Sequence, residues 1–521
     1  MIHDLKTAGS ASEKADIAII GAGTAGLLTA VHLARRGLSV VCIESGGERQ
    51  DEDEHPLNTV VHARSVYNGA AHGRFRCLGG TSTRWGGALI PFQKADVADA
   101  GWAIPHDEIT AYLPAVEAVF GVPAGPYEAP DGITQNLGSH VTRLAKWPPF
   151  PKRNVYNLFQ AEVTAEAGPR VWLNATVTDF DTRDGGLCRI EARAPNGNTL
   201  AVEAGAYILA AGAIETTRLL LLLDEQTSAI DPRAAANLGM RFHDHLSVPV
   251  GDLAVTDRAA LNRLAGLRFE ANGSMRNLRF ELADRAPDRA TVLPCFAHIA
   301  PEEIEKSGFM ALRNLFRSLQ QRRLPSVRNL FDMALSVPWL TRAAWWRYVE
   351  KRLLYADGAR IQVHMVVEQL ASDDNRIRLS ADRRDVYGQR LAEIEWSVSP
   401  ADRDNLTRAV DSFAAMWAAS PVSRLGAFVR RPAGAAEDDL VKGGGIYHPG
   451  GTTRMGLTPD DGVVDRDLRV FGLDNLYVLS TSVLPTGGGA NPTMMLLMLA
   501  MRCIDHLSRT ASATTSARKT A

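Results

Sequence analysis

Apolar residues near the amino terminus fall into short unbroken runs separated by a helical repeat. Asp16-Ile-Ala-Ile-Ile20 reads as a buried strand. Leu27 to Arg36 has helical spacing and stops at Gly37, and Ser39 to Ile43 is a second apolar strand that ends at Glu44. These three elements make a βαβ unit. Further on, a buried strand starting at Ala206 passes through small residues into a leucine-rich helix reaching Leu223, like a late strand of the same sheet. Leu267 to Leu282 and Arg360 to Gln369 alternate instead, which suits strands of a second sheet. Met494 to Leu507 is a strongly apolar helix.

The turn between the first strand and helix is Gly21-Ala-Gly-Thr-Ala-Gly26. A lone GxGxxG is weak, but here strand, helix, second strand and terminal acid are all present. Gly21 permits the tight turn, Gly23 lets backbone approach a pyrophosphate, and Gly26 lets the helix pack close to the strand. The helix amino terminus offers free N–H groups to phosphates. Glu44 accepts hydrogen bonds from a ribose 2′-OH and repels a 2′-phosphate, which favours FAD or NAD over NADP.

Three further blocks bear on the cofactor. Cys77-Leu-Gly-Gly-Thr-Ser-Thr-Arg-Trp-Gly-Gly87 can lie against a flat ligand and cradle phosphates with its backbone. The strand and helix from Ala206 to Leu223 form the second block. The third joins His448-Pro-Gly-Gly-Thr-Thr-Arg-Met-Gly456 to a glycine-rich segment that ends at Asn491, Pro492 and Thr493, where the last helix begins. Asn491 and Pro492 there suit an amino-terminal cap.

In this order the blocks resemble the glucose-methanol-choline (GMC) oxidoreductase family, from Asp16 to about Leu507. The branch most similar in motif holds pyranose oxidases and bacterial sugar or polyol dehydrogenases. The resemblance implies an α/β fold: a discontinuous FAD-binding Rossmann-like domain plus an α+β substrate domain with an antiparallel sheet over the flavin. The implied FAD domain covers 14–95, 165–245 and 445–508. The substrate domain covers 96–164 and 246–444, and 509–521 is expected to be a disordered tail.

The resemblance also implies a reaction, in which an alcohol is oxidised by hydride transfer to flavin N5. His448 matches the family's catalytic base and Asn491 its partner. A histidine titrating near neutrality suits removal of an alcohol proton, and an Asn orients the substrate oxygen. Gly21, Gly23, Gly26 and Glu44 carry over to the ADP part of FAD. Gly79, Gly80, Thr81 and Ser82 carry over to the loop beside the pyrophosphate and isoalloxazine. Val177 matches the backbone position at the adenine, and Asn491, Pro492 and Thr493 the flavin end. Arg84 stands where some relatives tether FAD through a His, which implies a non-covalent flavin. Ser480 replaces an Asp that the family often has near the diphosphate.

Composition narrows the partners. The 521 residues include 57 Lys+Arg and 59 Asp+Glu, a formal net charge of -2, so nothing points to nucleic acid. Cys42, Cys77, Cys188, Cys295 and Cys503 form no CxxC pair, which fits a reducing compartment. With no apolar leader and no long apolar run, the expected location is cytoplasmic. His243-Asp244-His245 looks like a metal cluster, but adjacent residues point different ways and no further ligand is near in sequence, so no metal is expected. His364 is expected in the core, and Glu368-Gln369 is a possible contact to a polar substrate.

Residues 306–352 stand apart. Ten Lys+Arg face two acids there, interleaved with Phe309, Phe331, Trp339, Trp345 and Trp346. The spacing predicts two or three amphipathic helices broken at Pro325 and Pro338. This insert is either a helical lid with a solvated basic face or a docking surface for a membrane or protein partner. Two other functions stay open: a hydroxynitrile-lyase-like flavoprotein without net redox chemistry, and an electron-transfer flavoprotein subunit. The sequence leaves the acceptor, O2 or another, undetermined.

Overall fold

The computed structural model describes the chain up to residue 520, except residues 52, 99, 129–131, 303–306, 321–323, 325, 433, 444 and 490; the side chains of 316–320, 442–443 and 512–520 are also left out of the description. Two large sheets organise it. The first has eight strands. Its centre is the strand Ala11–Ile20, flanked in parallel by Val40–Ile43 and Thr199–Leu209. Arg170–Leu173 and Ile2–Asp4 continue the parallel array on one side. Gly186–Arg193 and Thr176–Arg183 turn antiparallel on the other, and Leu476–Val478 pairs with Thr199–Leu209.

The central strand is longer than its apolar run. Ile17 to Ile20 are buried, whereas Ala11 to Asp16 alternate between exposed and half-buried. Pairing with Leu200 to Ala204 holds this polar half in the sheet. Hydrophobicity alone therefore marks only the half lying between packed layers. The helix Thr24–Arg35 follows the glycine turn, and the chain leaves it through Gly37 at φ 83°.

The second sheet has seven strands, and all its pairings are antiparallel. Met275–Leu282, Cys295–Pro301, Ile361–Glu368 and His245–Val255 lie side by side in that order. The helix Pro400–Ala419 packs on this sheet and buries Phe413 and Trp417 against Phe280. A small third sheet joins Arg376–Arg384, Arg390–Glu395 and Val61–His62. The mixed α/β architecture expected from sequence is the one observed.

One region differs from expectation. The last helix runs Thr493–Thr520, so helical backbone covers most of 509–521, where a disordered tail was expected. Between the neighbouring strands Cys295–Pro301 and Ile361–Glu368 of the second sheet the insert forms the helices Gly308–Gln320, Val327–Leu335 and Val337–Trp345, as its spacing predicts. Pro338 sits in the first turn of the third helix, where its missing N–H costs nothing. Pro325 lies outside the described residues. Leu324, Val327, Phe331, Leu335, Trp345 and Tyr348 are exposed, so this insert shows water apolar surface as well as charge.

Candidate active site

The dinucleotide turn is built from close backbone contacts. Gly21 has φ 108°, and a Cβ there would stand 2.5 Å from the Ala210 carbonyl oxygen. A Cβ on Gly26 would fall 1.9 Å from the Gly21 oxygen, so helix and turn meet only because the residue is glycine. Gly23 has nothing within 4 Å of a built Cβ, because it faces open cavity. Glu44 is buried and accepts from the N–H groups of Ala22 and Gly46, each at 2.9 Å. Burial lifts its carboxyl above the ordinary range; those donors and Arg76 oppose the rise.

The glycine loop docks on this turn. Gly79 and Gly80 take positive φ, and Gly79 donates its N–H to the Ala22 oxygen at 2.9 Å. A Cβ on Gly80 would be 2.8 Å from the Gly23 Cα. Ser82 spends its hydroxyl locally, donating to Gly79 O at 2.5 Å and accepting from Val155 N at 3.0 Å. Trp85 is anchored through Nε1 to Arg153 O at 2.8 Å.

A cavity of about 880 Å³ runs from this turn to the face of the antiparallel sheet. Gly21, Gly23, Glu44 and Val177 line one end, and Gly80, Thr81 and Ser82 the middle. His448, Asn491 and Thr493 line the far end, with Arg279, Phe296 and His298 from the sheet. Gly26, Gly79 and Pro492 are not in its wall; they shape the turn, the loop and the start of the last helix. Residues matched to adenine, pyrophosphate and flavin share the wall of this one cavity, and the absence of a side chain at Gly23 leaves space for a pyrophosphate. These residues therefore fit FAD.

At the far end one carboxylate organises the backbone. Asp244 is fully buried, and its Oδ2 accepts from Tyr67 Oη at 2.6 Å and Tyr447 N at 3.1 Å. Its Oδ1 accepts from His448 N at 2.8 Å and His245 N at 2.6 Å. Burial still raises its carboxyl to about 6. Asp244, His245 and His448 are close enough to surround an ion. Four donors already occupy the carboxylate, which makes it a brace for the loop carrying His448. His243, the third member of the suspected cluster, turns away to the Arg241 carbonyl at 3.0 Å.

His448 packs edge-to-face against His245, with ring centroids 5.3 Å apart. His448 Nδ1 is buried without a hydrogen-bond partner among the described residues. Burial, then His245 and Arg279, hold its pKa well below the ordinary histidine value, so the ring is neutral at neutral pH. His245 donates Nε2–H to Gly488 O at 2.7 Å.

Three sequence readings change here. Asn491 was read as a helix cap, yet its Oδ1 accepts from Arg279 Nη2 at 2.8 Å and the helix starts at Thr493. Glu368 and Gln369 do not reach the cavity. Glu368 accepts from Gly487 N and Gly488 N at 3.2 and 3.1 Å, while Gln369 Oε1 accepts from Asp244 N at 3.2 Å and Trp396 Nε1 at 2.9 Å. His364 is half-buried and stacks on His298 of the neighbouring strand, centroids 5.3 Å apart. Sequence reasoning missed Arg279, Phe296 and His298, whose alternation along their strands puts them on one face but names no ligand.

Comparison with known proteins points the same way as the motifs. Residues 371–500 match the GMC oxidoreductase model, and 15–237 match that of pyridine nucleotide-disulphide oxidoreductases, the span of most of the parallel sheet. The chain is 22% identical to the fructose dehydrogenase large subunit of Gluconobacter japonicus, over 95% of this chain and 97% of that protein. It is 30% identical to 2-methyl-1,2-propanediol dehydrogenase of Mycolicibacterium austroafricanum, over 29% of this chain and only 26% of that one. The pyridoxine 4-oxidase structure from Mesorbium loti superposes with a TM-score of 0.59 at 17% identity, covering 94% of this chain and 98% of the other. Likeness at that identity speaks for the fold alone; residues 371–500 carry the GMC oxidoreductase match, and together with these relatives it marks the chain as an FAD-dependent oxidoreductase similar to the GMC oxidoreductases.

Proposed function

We propose that the protein oxidises an alcohol group to a carbonyl, with His448 as general base and Asn491 holding the substrate oxygen. The observation that carries this reading is the pairing of a neutral, partly unsatisfied imidazole with a carboxamide at one end of the cofactor cavity. When bound, FAD supplies the hydride acceptor. His448 takes the hydroxyl proton as the carbinol hydride departs. Arg279 occupies the Asn491 oxygen, so the Asn491 amide presents its N–H groups to the developing alkoxide. Asp244 fixes the backbone on which His448 rides.

The substrate class is a sugar, amino sugar, glycoside or other polyol. Branch resemblance supports it, as do relatives named for fructose and for a propanediol. The flavin is held without a covalent bond: Arg84 offers no attachment atom and bonds through Nε to the Gln50 side chain at 2.7 Å. The insert is a contact surface for anionic lipid. Exposed Trp345, Tyr348 and Phe331 beside exposed Arg313, Arg328 and Lys351 match the chemistry of a headgroup boundary. A lid role is the competing reading.

His448→Ala keeps the yellow colour but slows anaerobic flavin reduction by roughly 10²–10⁴-fold in stopped flow. An unchanged rate removes His448 as the base, and failure of every alcohol to bleach the flavin turns the reading to a lyase-like role. Because His448 is neutral in the fold, the wild-type reduction rate holds steady as pH falls through 6.5; a titration centred there contradicts the assigned protonation state. Gly23→Val fills the open space at the turn, and the purified protein is then colourless, as judged by flavin absorbance. Liposome flotation at low salt recovers the protein with vesicles containing anionic lipid and not with neutral ones; recovery with neither rejects the membrane contact.

A further inference from the structure

Arg279 is out of place in a site for neutral sugars. It lies on Met275–Leu282, is only 4% exposed, and stands in the cavity wall beside Asn491. Its one hydrogen bond among the described residues goes to the neutral Asn491 oxygen. Its guanidinium sits 4.1 Å over the Phe296 ring. Nε and Nη1 have no partner among the described residues.

Most other buried cations among the described residues meet an acid; Arg454, which bonds Asn237 and lies outside the cavity wall, does not. Arg143 pairs with Glu281 at 2.8 Å, Lys146 with Glu117 at 2.6 Å, Arg218 with Asp385 at 2.6 Å and Arg76 with Glu215 at 2.8 Å. The acid nearest to Arg279 in sequence, Glu281, feels its charge but makes no ion pair with it among the described residues: Glu281 Oε2 accepts from Arg143 at 2.8 Å and from Gln93 Nε2 at 3.1 Å. A guanidinium removed from water and left without a counter-charge is costly. Such a group persists where a ligand supplies the charge, and a planar fork matches a carboxylate. Asn277, two residues earlier on the same strand, lines the cavity too and adds an amide. His298 brings a buried Nδ1 that also has no partner among the described residues.

We infer that Arg279 anchors a carboxylate carried by the substrate, so that the alcohol oxidised belongs to a hydroxy acid or sugar acid. This rests on the alcohol-oxidation reading above and narrows its substrate. The carboxylate stays intact: the carbinol C–H leaves as hydride to FAD, the O–H proton goes to His448, and the product is the corresponding keto acid or its aldehyde equivalent. Contact between Arg279 and Asn491 places the anion next to the reacting carbon, which favours acids with the hydroxyl close to the carboxylate.

The test uses the FAD-loaded protein and matched pairs: glycerate against glycerol, gluconate against glucose. It runs on wild type, Arg279→Lys and Arg279→Met. Anaerobic flavin reduction gives one readout. Titration with acetate and pyruvate, followed by the flavin spectrum and by the shift in melting temperature, gives another that needs no turnover. The expected result is that wild type prefers the acid of each pair by roughly 10²-fold or more, that the preference collapses in Arg279→Met and partly returns in Arg279→Lys, and that the anions perturb only proteins with a cation at this position. Equal reduction by acid and neutral alcohol in wild type overturns the proposal. So does an equal loss for both classes in Arg279→Met, which would make Arg279 a support for Asn491 or for the charge on the reduced cofactor. Anion binding that depends on Arg279, with no reduction by any alcohol, keeps the carboxylate site and rejects alcohol oxidation. Absence of anion binding in wild type rejects the site even if neutral alcohols are oxidised.

Discussion

The site depends on the buried carboxylate of Asp244. It receives four hydrogen bonds, one from its neighbour His245 and three from residues distant in sequence, Tyr67, Tyr447 and His448. A charge removed from water is tolerated only when its lone pairs are filled, so this demand fixes where the three segments meet. Burial raises the group to about 6, against the pull of those four donors, and it stays largely ionised at neutral pH. Gly445 shows how tightly the loop wraps the acid: a Cβ there would stand 2.0 Å from Asp244 Oδ2. The position of His448 is therefore inherited from a residue that does not face the cavity.

Electrostatics at the far end is correspondingly one-sided. His245 is held at about 4 and His298 at about 3, each chiefly by burial, with Arg279 adding to the depression in both. Neutral rings can accept a proton, and their neutrality keeps the region from accumulating positive charge around the guanidinium. Glu368, lifted by burial to about 8, sits behind the Gly487–Gly488 backbone and is protonated at neutral pH, so it contributes no negative charge to balance Arg279.

What was legible in the sequence is local. The glycine turn, the helix after it and Glu44 are contiguous and obey the periodicities of one βαβ unit, so residues and roles could be read together. The strand's polar half, Ala11 to Asp16, was not legible, because only pairing with Leu200 to Ala204 makes it a strand. Asn491 looked like a cap because its neighbours in sequence are a proline and a helix; its partner in space, Arg279, is more than two hundred residues away. Glu368 and Gln369 misled for the same reason. A polar pair ending a strand looks like a ligand contact until the loop and the aspartate that it serves are seen in place. The comparisons with known proteins add weight to the motif order, which was itself the most informative long-range signal in the chain.

The Arg279–Asn491 hydrogen bond joins the antiparallel sheet to the mouth of the last helix, whose first turns lie in the core beneath the parallel sheet. It is thus a latch across the seam between the two layers. Because the bond holds the amide oxygen, turning the Asn491 amide over costs it the Arg279 partner, so sheet and helix together dictate which edge of the amide meets the cavity.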